Sequence, residues 1–442
     1  SIGWNAHNEK FFKERKIIQV VSRLKPRVSY GVNGNIDALT ISNDYYWLLG
    51  KYSVQSPYNG KKGYVNTSVP LYYLKWEKAT TLNFGLDLGL FNNRVNFLVD
   101  YFIRDIYDKL ADQRIPISTG FSSVKINNGT LQNRGIEIEA NFKVINTDDI
   151  KWNIGANFTR IRSFVKKLPH NGNDKNRIGG QEIWDPSNPT KTMYVGGRQQ
   201  GERVGDDLVV GYQDEGVYHN QAELEADKDR QIDFYAGTIP AANRKPMVGD
   251  TRWKDVNGDG IINSRDRVVL GRTTPDFIGG FTTDFTYKNI NLFIKTDYAV
   301  GHLVHNGVRS RGISQVQGNM NWTSEIKDTW TPENPNADIP RYDFTDPRGN
   351  HKAETKAGEE QFTASSRYWE KGDYLALREI TLSYNLPGSL VNNAFKDIRF
   401  FVSGTNLAYF TKYSGYSPEK GGWDNGRFPL PRSFTFGINA TF

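Results

Sequence analysis

The chain is 442 residues long, 37% hydrophobic and 13% aromatic, with 42 glycines and no cysteine. The lack of cysteine excludes disulfides, thiolate zinc sites and cysteine nucleophiles, and the aromatic content excludes a disordered polymer. The formal charge of +7 comes from 56 basic residues scattered among 49 acidic ones. With no basic block, nucleic acid is not implied as a partner.

The chain starts at Ser1 without a charged-then-apolar leader, which implies a cleaved leader or a longer parent protein. No apolar run reaches the roughly 18 residues of a transmembrane helix. Residues 9–24, Glu9 to Leu24, are expected to form a helix, because Phe12, Ile17, Val20, Val21 and Leu24 fall near helical spacing before Pro26. Lys25 to Gly31 then reads as a strand entering a loop that runs to about Lys75.

A regular period-two pattern follows. Leu82, Phe84, Leu86, Leu88 and Leu90 alternate with polar residues and glycine, and after the turn at 91–94 come Val95, Phe97, Val99, Tyr101 and Ile103. Ile136, Ile138, Ala140, Phe142 and Val144 repeat it, as do Trp152, Ile154, Ala156 and Phe158. Later runs centre on Phe285, Ile294, Leu382 and Phe400, and the last extends from Phe434 to Phe442. Alternation of this kind marks a strand with one apolar and one polar face. About ten such strands occur, many as long as a tilted strand needs to cross a bilayer.

Connections alternate in length. Short turns are expected near 91–94, 145–150, 287–289 and 386–396, and long ones near 33–76, 105–130, 165–275, 301–372 and 410–431. All long loops therefore lie at one rim, the arrangement of an outer-membrane barrel. The expected fold is all-β, an antiparallel transmembrane β-barrel with long extracellular loops and short periplasmic turns. Trp152, Tyr101, Tyr287 and Tyr384 suit an aromatic girdle at the membrane interfaces.

Within the long loop at 165–275 lies Asp255-Val256-Asn257-Gly258-Asp259-Gly260-Ile261-Ile262-Asn263-Ser264-Arg265-Asp266. Oxygen-bearing side chains fall at positions 1, 3, 5, 9 and 12 and glycine at position 6, the spacing of a calcium loop. Asp255, Asn257, Asp259 and Asp266 would ligate by side chain, Ile261 by its carbonyl with its side chain in a core, and Asn263 directly or through water. Aspartate at position 12 makes bidentate capping weaker than glutamate would. No nucleophile or base surrounds the loop, so the ion would be structural.

The flanks of this loop carry a family resemblance. Gly249 to Gly260, Asp266 to Gly271, and Pro275-Asp276-Phe277 resemble the loop-to-strand segment of SusC-like TonB-dependent transporters of Bacteroidetes outer membranes. Gly211-Tyr212, Asp214 to Tyr218, Ser365 to Arg378, Thr405-Asn406-Leu407, Lys412 to Tyr416 and Pro431 to Phe442 are similar to further family segments, and Ser1-Ile2-Gly3-Trp4 to the end of a mid-barrel strand. The resemblance implies that residues 1–442 are the C-terminal part of a 22-stranded plugged barrel, with the plug and first barrel half outside this chain. It further implies a SusD-like surface lipoprotein as a lid, the TonB complex acting through the plug, homodimeric association of such pairs, surrounding outer-membrane lipid, and a cargo of oligosaccharide or peptide.

No catalytic constellation is present, and the six histidines lack clustered partners, so the chain is not read as an enzyme. Trp184, Trp322, Trp330, Tyr413, Tyr416 and Trp423 lie on long-loop segments, where a ring face suits a sugar; packing within the loops is the plainer role for each. Two rivals remain. One is a calcium-dependent, dockerin-like binding module, which needs two such loops on helices. The other is a passive porin or adhesin.

Overall fold

The structure is a computed structural model that describes residues 1–13, 20–35, 49–234, 240–314, 321–343, 348–351, 365–387, 395–419 and 421–441. Eleven strands form one antiparallel sheet whose order is the order of the chain. They are β1 (Ile2–Gly3), β2 (Val21–Asn35), β3 (Glu77–Leu90), β4 (Val95–Arg114), β5 (Ser123–Asn146), β6 (Ile150–Lys167), β7 (Phe277–Tyr287), β8 (Ile290–Val300), β9 (Tyr374–Asn385), β10 (Asp397–Thr411) and β11 (Ser433–Thr441). Ten long strands and a two-residue stub match the number the alternation implies.

Two boundaries differ from expectation. The helix expected over 9–24 is present at Lys10–Lys13, whereas Val21 and Leu24 belong to β2 and face Leu90 and Leu88. Residues 14–19 lie outside the described residues, as does terminal Phe442. The apolar spacing at the end of that run serves a strand because β3 supplies a ladder of hydrogen-bond partners, and tertiary pairing overrides a weak local preference. Pro26 likewise sits within β2, opposite Leu86. The connection expected at 105–130 shortens to 115–122, because β4 and β5 continue their ladder to Arg114 and Ser123.

The chain divides into two compact units. The first comprises Ser1–Val144, Gly155–Gly179 and Arg198–Val204, and the second Ile145–Ile154, Gly180–Gly197 and Gly205–Phe442.

In the first unit the two faces of the sheet are chemically distinct. Val28, Phe84, Tyr101 and Ile136 are direct cross-strand neighbours along one row of the apolar face. Val28, Phe84 and Tyr101 are exposed, which suits contact with hydrocarbon. One residue along, the opposite face presents the row Arg27, Gly85, Asp100 and Glu137. Arg27 Nε lies 2.7 Å from Asp87 and its Nη2 3.1 Å from Asp100, so the guanidinium bridges β2 to β4 across β3. Gly85 makes that reach feasible, since a Cβ there would stand 2.7 Å from Arg27 Cζ and 2.8 Å from Asp100 Oδ1. Arg23 reaches the same Asp87 at 2.8 Å, and Asn83 donates to Asp100 at 3.1 Å. A charged, hydrogen-bonded face is that of an aqueous or plugged interior.

The second unit repeats the division. Tyr287, Ile290, Tyr384, Phe400 and Ile438 form one cross-strand row, and Phe285, Leu292, Leu382, Val402 and Phe436 the parallel one. All of these except Leu292 are exposed. Trp152 donates from Nε1 to Thr283 Oγ1 at 2.9 Å and meets Phe285 edge-on. On the other face Thr381 shares a hydrogen bond with Ser403 and Arg399 donates to Ser383, and Arg378 engages Asp297, Tyr409 and Glu419. The tight turn between β7 and β8 holds Lys288 at φ 51°.

Between β6 and β7 the second unit builds a small domain from short strands. Leu208–Tyr212 pairs with Arg267–Arg272, Asp214–Val217 with Thr251–Trp253, and Gln231–Ile232 runs parallel to Ile261–Ile262. Tyr212, Ile232, Phe234, Trp253 and Ile262 form its dry core.

Candidate metal loop and outer-end clefts

The run Asp255–Asp266 leaves the Thr251–Trp253 strand and enters the Arg267–Arg272 strand, so it is not flanked by helices. Gly258 and Gly260 take φ values of 75° and 81°, a region that costs a residue with a Cβ. Asp255 accepts from the Gly258 and Gly260 N–H groups at 2.7 and 2.8 Å. Asp259 accepts from the Ile261 N–H at 2.7 Å and from Asn257 Nδ2 at 2.8 Å. Asp266 closes the loop, accepting from the Val256 and Asn263 N–H groups at 3.1 and 2.8 Å. Asn263 Oδ1 in turn accepts from the Arg265 N–H at 2.9 Å.

The loop is thus pinned by its own carboxylates at both ends. Asp266 is fully buried, and burial, reinforced by the charges of Asp255 and Asp259, pushes its carboxyl up to about 6 against the pull of its two backbone donors. A divalent ion would relieve that cost, and oxygens alone are the donor set a hard cation takes. Among the described residues no three His, Cys, Asp or Glu side chains converge as a metal cluster, since the aspartates turn their oxygens to backbone donors. The oxygen-only donor set is the kind calcium takes, while the side chains themselves are held by the loop's own amides.

One expected detail is corrected. The Ile261 side chain is 39% exposed, and Ile262 is the residue that enters the core at 0%. Alternation along a strand forces that choice: once Ile262 pairs beside Ile232 and faces Trp253, its neighbour must point away. The Ile261 carbonyl accepts from Asn263 Nδ2 at 3.3 Å.

The loop also grips its surroundings. Trp184 donates its backbone N–H to the Arg265 carbonyl at 2.9 Å, Arg265 lies over the Trp184 ring at 5.6 Å, and Glu182 pairs with Arg265 at 3.1 Å. A cleft of about 600 Å³ opens beside it, lined by Gln181, Asp233, Ile261, Ser264 and Arg267 among others. The strand hairpin Gln181–Asp185 with Asn188–Val195 is thereby fastened to the Asp255–Asp266 loop.

The aromatic residues of the long loops separate into two groups. Trp330 covers Gly249 and donates from Nε1 to the His219 carbonyl at 3.3 Å. Tyr413 is buried with its hydroxyl on Asp424 at 2.8 Å, and Trp423 lies against His305 at 4.3 Å and Trp369 at 6.3 Å. Trp184 is held under Arg265. Trp322 is 45% exposed beside Tyr342, at 4.7 Å, and Tyr416 is 55% exposed. Tyr416 edges a cleft of about 640 Å³ with Asn306, Arg309, Glu325, Glu370 and Ser414. There Arg309 pairs with Glu325 at 2.6 Å, and Ser414 donates to Glu370 at 2.8 Å. Sequence spacing does not expose that charged cluster, because its members come from segments far apart in the chain.

Residues 19–200 match the family described as TonB dependent receptor-like, beta-barrel. TonB-dependent receptor P3 of Formosa agariphila is 30% identical over 468 residues, an alignment that covers 100% of this chain and 41% of that protein. TonB-dependent receptor SusC of Bacteroides thetaiotaomicron is 25% identical, with 100% of this chain and 39% of its own length covered. The RagAB peptide importer in its open-open state superposes with a TM-score of 0.71 at 22% identity, covering 100% of this chain and 42% of that one. The chain thus spans about two-fifths of the length of the relatives it matches.

Proposed function

From the premise that this chain is outer-membrane barrel wall of the SusC-like TonB-dependent receptor family, which is not a family of enzymes, we propose that its parent protein actively imports a nutrient oligomer. The cargo class is oligosaccharide or peptide. A SusD-like lipoprotein lid and the TonB complex are the partners such a barrel requires. The observation that carries the reading is the two-faced sheet, with exposed Phe, Tyr, Leu and Val rows on one side and the Arg23–Arg27–Asp87–Asp100 lattice on the other.

In this reading the metal loop is a structural clamp. Asp255, Asn257, Asp259, Asn263, Asp266 and the Ile261 carbonyl would hold calcium, which would supply only cross-linking charge. Of the six candidate loop aromatics, Trp322 and Tyr416 are the ones left open enough to meet cargo.

The test is uptake of labelled oligosaccharides and oligopeptides by cells with and without the parent gene. Uptake should require both the gene and an energised inner membrane. Uptake that persists after the membrane is de-energised supports a passive porin, and uptake unchanged by deletion removes the import role altogether.

A further inference from the structure

The first unit contains a cleft of about 770 Å³ at the loop end of β4, β5 and β6. Its cations are Lys109, Arg114, Lys167, Arg177 and Arg198, and its one carboxylate is Asp112, which pairs with Lys125 at 3.1 Å. Arg114, Lys167 and Arg198 are exposed, whereas Lys109 leans on buried Glu77 at 3.4 Å. The walls are built in place. Gln113 donates to the His170 carbonyl at 2.8 Å, Asn171 donates to the carbonyls of Asn176 and Arg177 at 3.1 and 2.9 Å, and Ile178 exchanges backbone bonds with Arg198 at 2.9 Å. The floor is apolar, made of Leu110, Leu131, Leu168 and Pro169, the last two buried.

We propose that this cleft binds acidic peptide segments, a specificity contact that rests on the import reading above. Arg114 and Lys167, exposed on the rim of a recess, raise the local positive potential, which draws a ligand bearing several carboxylates. An extended peptide alternates its side chains, so acidic residues can meet the Lys and Arg rim while intervening apolar ones meet the Leu and Pro floor. Among the described residues no aromatic ring lines the cleft, so it lacks the flat face that a sugar ring would stack on.

The test uses the intact parent protein in detergent and a fluorescent decapeptide alternating Glu with Ala, compared with its Gln–Ala counterpart by anisotropy. At about 50 mM salt the acidic peptide should bind roughly tenfold or more tightly than the neutral one, and this preference should fade near 500 mM. The double variant Arg114→Glu with Lys167→Glu, both exposed positions, should abolish the preference. Equal binding of the two peptides, or a preference untouched by the double variant, overturns the proposal. So does a charge-dependent preference confined to a sulfated oligosaccharide or to lipopolysaccharide micelles. Uptake of the Gln–Ala peptide by cells carrying the double variant separates the two claims. If it continues while acidic selectivity is absent in the unmodified protein, the cleft assignment fails and import stands; if gene deletion leaves all uptake intact, import fails.

Discussion

Replacing Asp250 by alanine should loosen one identifiable part of the loop domain. The Asp250 side chain is fully buried and pairs with Arg341 Nε at 2.5 Å and Arg348 Nε at 2.7 Å. It also accepts from Asn350 Nδ2 at 2.8 Å and from the Met247 N–H at 2.7 Å. Asn350 in turn holds Thr251 through two bonds of 3.0 Å, and the Arg348 carbonyl accepts from Trp253 Nε1 at 3.3 Å. Asp250 is thus the centre from which 348–350 are fastened to the strand that leads into the Asp255–Asp266 loop. Arg348 is only 6% exposed, so Asp250→Ala leaves a buried guanidinium with Asp343, at 3.1 Å, as its remaining carboxylate. Stranding one partner of a buried pair costs about 3–5 kcal/mol, and the retained Asp343 argues for the lower end. A loss of about 3 kcal/mol corresponds to roughly 100-fold faster local opening. Hydrogen exchange on the detergent-solubilised protein should show it at the amides of Gly249, Thr251 and Tyr218. Acceleration below tenfold, or an equal acceleration in wall strands β8 and β9, would refute the account of Asp250 as a local clamp.

Gly249→Ala should cost roughly 2–4 kcal/mol, because φ is +88° and a Cβ would lie 2.3 Å from the Trp330 ring; an unchanged melting temperature contradicts this. Leu382→Arg, at a 51% exposed apolar position, should destabilise insertion by about 2–4 kcal/mol if near midplane, with Thr435→Arg on the other face costing much less. A folding titration in lipid vesicles measures both, and equal costs argue against a lipid-facing row. Asp259→Ala should remove a calcium-dependent stabilisation that reaches about 2.7 kcal/mol when calcium is a hundredfold above its Kd. Melting with calcium and with chelator reads this out, and identical melting of the unaltered protein in both would discard the calcium assignment.

The membrane-facing halves of the strands were legible because one rule, alternate residues in lipid, acts on every position there. Where β4 and β5 extend beyond Ile106 and below Leu131, both faces carry polar groups such as Lys109, Asp112 and Lys125, and the pattern that marks a strand disappears. Val21 and Leu24 illustrate the opposite failure, since their spacing suits a helix and only the presence of β3 decides otherwise. The glycine turns of the Asp255–Asp266 run were readable from its spacing, yet the choice between Ile261 and Ile262 depended on a parallel strand some thirty residues upstream. Long-range clamps such as Asp250 with Arg341 and Arg348 leave no local signature. Neither do the basic cleft, assembled from three strand ends, and the burial of Tyr413 on Asp424.

The central claim is that this sheet separates lipid from an aqueous interior. Since the chain has no cysteine of its own, single cysteines can be placed and nitroxide-labelled at successive positions from Thr381 to Tyr384 and from Phe400 to Ser403. In lipid vesicles, labels at Leu382, Tyr384, Phe400 and Val402 should be relaxed mainly by dissolved oxygen, and those at Thr381, Ser383, Phe401 and Ser403 mainly by a water-soluble nickel chelate. A period of two in that ratio is the result the account predicts; uniform access to nickel along both strands would contradict it.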